Sequence, residues 1–147
     1  MMDAAKSIES IEAEIVDEFS LFDSWEDKYE YIIDMGKKLP PLSAEYKKDE
    51  NKIKGCQSTL WMHSDFKEGK IYYEADSDAM IVKGLVSMLI RVFSGHKPEE
   101  VINAPMKFID DIGMTSHLAQ TRSNGLRAMI KQMKLDALVW KTKVSPQ

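Results

Sequence analysis

The sequence predicts an α+β fold: a small antiparallel sheet with helices packed on one face. Three observations carry this expectation. Apolar residues recur at helical spacing in both the N-terminal and the C-terminal parts of the chain. The period shifts to that of strands only across residues 58–75. The stretch that follows, 78–94, is apolar nearly all round, so other elements must enclose it on most sides.

Residues 4–22 form the first expected helix. Ile8, Ile11, Ile15, Phe19 and Phe22 share one face, and Glu9, Glu12, Glu14 and Asp17 lie off it. Ser24 reads as the N-cap of a second helix, because Glu26 and Asp27 follow in the first turn, where the helix dipole favours negative charge. Trp25, Tyr29, Ile32 and Ile33 are its buried stripe, and Gly36 its expected stop. Leu39-Pro-Pro-Leu42 cannot continue a helix, and a polar, lysine-rich stretch follows to Lys54.

Residues 58–66 and 70–75 read as two strands of a hairpin turning near Glu68-Gly69. Leu60, Trp61, Ile71, Tyr72 and Tyr73 give them the aromatic and branched bulk that sheets favour. A bare hairpin is marginally stable, so at least one further strand is expected, with the segment around Ile53 as its candidate. Ser77 or Asp78 caps the apolar helix 78–94, in which only Lys83 and Arg91 break the run. Pro98 opens a short helix with Glu99 and Glu100 in its first turn. Phe108, Ile109 and Ile112 make another that stops at Gly113. A loop from Met114 to Arg122 and a last helix over 123–140 complete the chain, with Leu126, Ile130, Met133 and Ala137 inward. With no repeats and no low-complexity linker, residues 1–147 read as one domain.

Apolar residues at 44% and charged residues at 30% suit a soluble globular protein, large enough to bury a core without staples. A net charge of −4 argues against a nucleic-acid partner. No apolar run approaches the ~18–20 residues that span a bilayer, so no membrane association is expected. The first seven residues hold no apolar signal core, and the acidic residues after them do not suit a transit peptide. Together with a single cysteine, this implies a reducing, cytoplasmic setting.

That cysteine, Cys56, stands in Asn51-Lys-Ile-Lys-Gly-Cys-Gln-Ser58. Gly55 permits a tight turn before it, and a strand follows it. Alone, it forms no internal disulfide. Two readings are open: a small buried hydrophobe, or a reactive thiol whose thiolate fraction nearby positive charge would raise. Lys52, Lys54 and Arg122 are candidates for that charge. His63, His96 and His117 are far apart, with no Cys-x-x-Cys or His-Glu-x-x-His spacing, so no metal site is expected. His117, in a polar segment, is the candidate base if Cys56 belongs to a cysteine hydrolase. Asp76 and Asp78, at a strand end and helix start, are explained by capping alone. No phosphate-binding glycine loop and no Gly-x-Ser-x-Gly is present, so nucleotide binding and serine hydrolysis lack their usual signals.

Four stretches, in order, carry a resemblance. They are Trp25 to Ile33 with Gly36 and Leu39-Pro40; Asn51 to Ser58 with Trp61; Asp76-Ser-Asp-Ala-Met-Ile-Val-Lys-Gly-Leu85; and Ile112-Gly-Met-Thr-Ser-His-Leu118 with Arg122-Ser-Asn-Gly-Leu126. From about residue 20 to 135 the chain resembles the SufE/CsdE family of sulfur-acceptor proteins. The resemblance implies a fold similar to that of IscU-type scaffolds and an activity of transpersulfidation. Cys56 would take sulfur from the persulfide of a SufS/CsdA-like cysteine desulfurase and pass it to a SufB-like scaffold for iron–sulfur cluster assembly. The pyridoxal phosphate would reside in the desulfurase, and this chain would need no cofactor. Gly55, Gln57, Ser58, Asp76, His117 and Arg122 match family positions and are candidates for holding the loop or setting the docking geometry. Residues 51–57 would swing out on docking with Gly55 as a hinge, from a resting pocket made by Leu60, Trp61 and the helix 78–94. The alternative is a non-covalent docking module in which Cys56 is structural. A monomer and a homodimer both fit the sequence.

Overall fold

The computed structural model describes residues 6–54, 58–118 and 120–144, with backbone only at 115, 120–123 and 144. Helix α1 spans Ile8–Phe19 and is capped by Ser7, whose hydroxyl accepts from Ser10 N–H at 3.1 Å. Ile8, Ile11, Ile15 and Phe19 are buried, as their spacing requires. Glu12, expected off that face, is buried too. Burial raises its pKa, and the backbone N–H groups of Phe108 (3.5 Å) and Met106 offset part of that rise. The carboxylate so caps the chain where it enters a later helix, a partner invisible at helical spacing.

Helix α2 spans Trp25–Lys37, and Ser24 caps it by accepting from Asp27 N–H at 3.2 Å. It does not stop at Gly36, which lies inside its last turn. This glycine serves close packing instead. A Cβ there would stand 2.6 Å from the backbone N of Gly84, and a Cβ on Gly84 would stand 2.1 Å from the carbonyl O of Ile32. Two single turns of 3₁₀ helix follow, Ala44–Tyr46 and Asp49–Asn51.

Strands β1 (Leu60–Lys67) and β2 (Lys70–Ser77) pair antiparallel, with Leu60 opposite Ser77 and Lys67 opposite Lys70. Glu68 and Gly69, both at positive φ, make the turn. Alternation puts Leu60, Met62, Ile71, Tyr73 and Ala75 inward, all buried, and Trp61, His63, Asp65, Tyr72, Glu74 and Asp76 on the other face. No third strand is present among the described residues. The segment around Ile53 makes only a bridge, Ile53 N–H to Leu60 O at 2.9 Å with Lys52 opposite Trp61. A second bridge joins Ile71 to His96 at the other edge. Helix packing supplies the burial that a third strand would have given.

That packing comes from α3 (Met80–Phe93), which lies on the inner face of the hairpin with α2 on its other side. Val86, Met88, Leu89, Val92 and Phe93 are fully enclosed. The helix begins later than the expected 78. Ser77 is not its N-cap, but its hydroxyl still accepts from Ala79 N–H at 3.2 Å. Short helices α4 (Pro98–Asn103), α5 (Phe108–Asp111) and α6 (Met114–His117) follow. The last replaces part of the expected loop, because Gly113 at φ 81° turns the chain straight into it. Helix α7 runs Gln120–Val144, longer than expected at both ends. Met129 is buried between Leu126 and Met133, and Ile130, partly buried, packs against the core beside it.

The two charges that interrupt α3 both find partners. Arg91 pairs with Glu18 at 2.6 Å and Glu14 at 3.3 Å, tying α3 to α1. These bonds, with one from Tyr31, hold the Glu18 carboxyl down at about 2. The unfolded chain takes up protons near 4.5, so this pair stabilises the fold above that pH, and the contribution is lost as pH falls toward 2. Arg91→Met is therefore expected to flatten the acid limb of stability between about pH 5 and 2. Denaturation midpoints across that range test this, and parallel acid limbs in the two proteins would refute it. Gly84→Ala is expected to destabilise by about 1–3 kcal/mol or more, through forced separation of α2 and α3. An unchanged urea midpoint would show that α2 rides away from α3 without cost.

Candidate functional site

The hairpin end opposite its turn is where the cysteine segment joins. Ile53 N–H donates to Leu60 O at 2.9 Å, so the chain from 54 to 59 is a loop whose base is closed by a backbone bond. Its exit is strapped to β2: Ser77 Oγ donates to Thr59 O at 2.6 Å, and Asp78 N–H reaches the same oxygen at 3.3 Å. Ser58 is half-buried beside this strap. Gly55, Cys56 and Gln57 fall within the loop and lie outside the described residues.

Asp76 stands directly across the hairpin from Trp61. Its buried carboxylate accepts from Ser77 N–H at 2.8 Å and pairs with Lys47 at 3.2 Å and Lys83 at 3.4 Å. Burial opposes ionisation, but the two lysines and the Ser77 N–H outweigh it and hold the carboxyl below its usual value. Asp76 therefore does more than cap a helix. It ties β2 to α3 and to the 3₁₀ turn that leads into the cysteine segment. Lys47 also lies over the Trp61 ring, 5.5 Å from its centroid. The Trp61 indole N–H is buried with no hydrogen-bond partner among the described residues.

The same lead-in is fixed at two further points. Asn51 Nδ2 donates to Tyr46 O at 2.8 Å, and the Tyr46 ring stacks on His63 with centroids 3.7 Å apart. His63 also shares the outer hairpin face with Asp65 and Glu74, whose ligand atoms lie within 4.8 Å of one another. It is thus less isolated than its place in the sequence suggests. His96 is buried, with Nε2 bonded to Lys6 O at 2.7 Å.

His117 sits elsewhere. Its ring stacks on Trp25 at 4.3 Å, its Nδ1 lies 2.9 Å from Gly113 O, and its own carbonyl accepts from Tyr29 OH. These contacts lock α6 onto α2, and none of them involves the cysteine segment. Arg122 lies in the first turn of α7, and its side chain is outside the described residues.

Sequence reasoning missed Lys47 and Lys83 as partners of Asp76. A signal for Lys83 existed: a lysine that interrupts an otherwise apolar helix needs a specific counter-charge. Lys47 carried no comparable mark in its lysine-rich stretch.

The chain matches a family model, SufE, described as the Fe-S metabolism associated domain, over residues 13–137. It is 38% identical over 129 residues to an uncharacterized SufE-like protein of Rhizobium meliloti (strain 1021), covering 84% of this chain and 92% of that protein. It is 40% identical over 132 residues to an uncharacterized SufE-like protein of Rhizobium etli, covering 86% and 88%. The solution structure of a hypothetical protein from Thermus thermophilus shares the fold. Its TM-score is 0.75 at 20% identity, over 90% of this chain and 96% of that one. The class is therefore that of iron–sulfur metabolism proteins with this α+β fold. The chain belongs to the SufE family.

Asp76→Asn is expected to destabilise by about 1–3 kcal/mol at neutral pH, because two lysines lose their counter-charge. The gap to wild type should close as pH falls through the carboxylate range, since a depressed pKa gives stability that acid removes. Urea denaturation at neutral and acid pH checks both; a gap independent of pH would show that the charge of Asp76 is not what matters.

Proposed function

We propose that this protein is the sulfur acceptor and activator of a pyridoxal-phosphate cysteine desulfurase, working in the cytoplasm. One observation carries the reading. The only cysteine of a SufE-family chain falls in a short loop closed at its base by Ile53 and Leu60 and strapped at its exit by Thr59 and Ser77. Such a loop presents one thiol on a fixed foundation.

The chemistry balances without an oxidant. The Cys56 thiolate attacks the outer sulfur of the desulfurase persulfide. A new S–S bond forms on Cys56, the desulfurase S–S bond breaks, and the desulfurase cysteine leaves as a thiolate. Cys56 then holds a persulfide that a second thiolate, on a cluster scaffold, attacks in the same way. A lone cysteine suits this role, because no second thiol of the same chain is present to collapse the persulfide into a disulfide. It also supplies too few ligands to hold an ordinary cluster itself. Pyridoxal phosphate, in the partner, supplies the carbon–sulfur cleavage and takes no ligand from this chain.

The test is intact mass after incubation with the desulfurase and free cysteine, without reductant, beside Cys56→Ser. The expected result is a species heavier by one or more sulfur atoms, absent in the variant and reversed by reductant. No gain in mass with a desulfurase that binds would overturn the covalent reading and leave a docking module.

A further inference from the structure

Helix α7 is charged against the trend of the chain. Arg122, Arg127, Lys131, Lys134, Lys141 and Lys143 stand against Asp136 alone, while the whole chain is −4. The body beneath it is therefore strongly acidic. At helical spacing Arg127, Lys131, Leu135 and Leu138 share one outer face, with Val139 at its edge. Leu135, Leu138 and Val139 are 48%, 50% and 45% exposed, three large apolar side chains together on a surface helix.

The upper part of this face is concave. Glu50, Lys52 and Lys54, on the chain entering the cysteine segment, line a groove of about 420 Å³ with Ala128, Lys131, Gln132 and Leu135, so its three lysines stand against one carboxylate. Lys52 is paired with Asp49 at 3.1 Å. Lys54 and Lys131 have no ion-pair partner among the described residues. Lys54 is two residues from Cys56 in sequence.

We propose that this groove and the apolar stripe below it are where the cysteine desulfurase docks, through an acidic surface segment with an apolar centre. The proposal rests on the sulfur-acceptor reading. Charge complementarity selects the occupant: unpaired lysines flank the groove, and carboxylates would neutralise them. Position supports it as well, because Lys54 lies only two residues from Cys56 along the chain. The apolar stripe gives up water on contact, and the lysines steer the approach and fix its register. A flat bilayer does not reach the floor of a concave groove. A second copy would set the same lysines against their equals in a two-fold contact.

Two double variants test this beside wild type: Leu135→Ser with Leu138→Ser, and Lys54→Glu with Lys131→Glu. All four positions are on the surface, and far-UV circular dichroism confirms that the fold is kept. The readout is desulfurase activity against acceptor concentration. Each pair is expected to raise the half-saturating concentration about tenfold or more, and the leucine pair is expected to leave the maximal rate near wild type. The lysine pair should lose less at high salt. Half-saturation within about twofold of wild type in both pairs, or a fall in maximal rate alone, would overturn the surface. Loss of binding to vesicles containing phosphatidylserine, with desulfurase half-saturation unchanged, would overturn it in favour of a lipid surface. If wild type neither activates the desulfurase nor gains sulfur in the same reaction, the sulfur-acceptor reading fails, a result distinct from the others.

Discussion

Helix α3 has to be enclosed on nearly every side, and that depends on two glycines. Gly36 and Gly84 let the backbones of α2 and α3 touch, with no room for a Cβ on either. Because α2 comes so close, Ile32 is fully buried between them. The opposite side of α3 then receives the hairpin, and its charged flank meets α1 through Arg91. A two-stranded ribbon of this size has little stability of its own. Its register holds because each inward side chain rests on a helix that cannot shift.

Charge organises what packing leaves open. Glu18 and Glu12 lie on one helix, and burial pushes both carboxyls up, but the net shifts are opposite. The Arg91 guanidinium outweighs burial at Glu18, whereas the backbone N–H groups at Glu12 offset only part of it. Asp76 follows the first pattern, with two lysines in place of the arginine. The cations of these pairs are partly exposed and screened by solvent, so beyond the buried Asp76 carboxylate the pairs add little to global stability. Their effect is positional. The Arg91 pairs hold α3 to α1, and Lys47, paired with Asp76, helps to hold the lead-in segment, Tyr46 to Asn51, beside Trp61 and His63.

Where apolar spacing was decisive, the sequence was legible. The helical faces of α1 and α3, the cap at Ser24, the helix start at Pro98, and the hairpin turn at Glu68-Gly69 follow from local chemistry alone. Tertiary contact hid the rest. Gly36 reads as a helix stop because a glycine gives the same local signal whether it ends a helix or admits a neighbour. Glu12 reads as a surface residue because its partners are on a segment nearly a hundred residues away. A third strand looked necessary because the sequence does not say that α3 and α7 cover the hairpin. Of the candidate site, Asp76 and Ser58 were singled out from the family motif, and the ion pairs of Asp76 needed the fold. His117 was placed by its motif and turns out to hold α6 on Trp25.

The closed base of the cysteine loop has a mechanical consequence. With Ile53 bonded to Leu60 and Thr59 held by Ser77, both feet of the loop are fixed to the hairpin. Cys56 is three residues from one foot, so its Cα travels no further than about 11 Å from that of Ile53 at full extension. In the sulfur-acceptor role proposed for Cys56, a sulfur on so short a tether would not search for its next thiol. Donor and recipient would each have to bring a cysteine to the end of the hairpin, one after the other, and the recipient would gain access only after the donor had left.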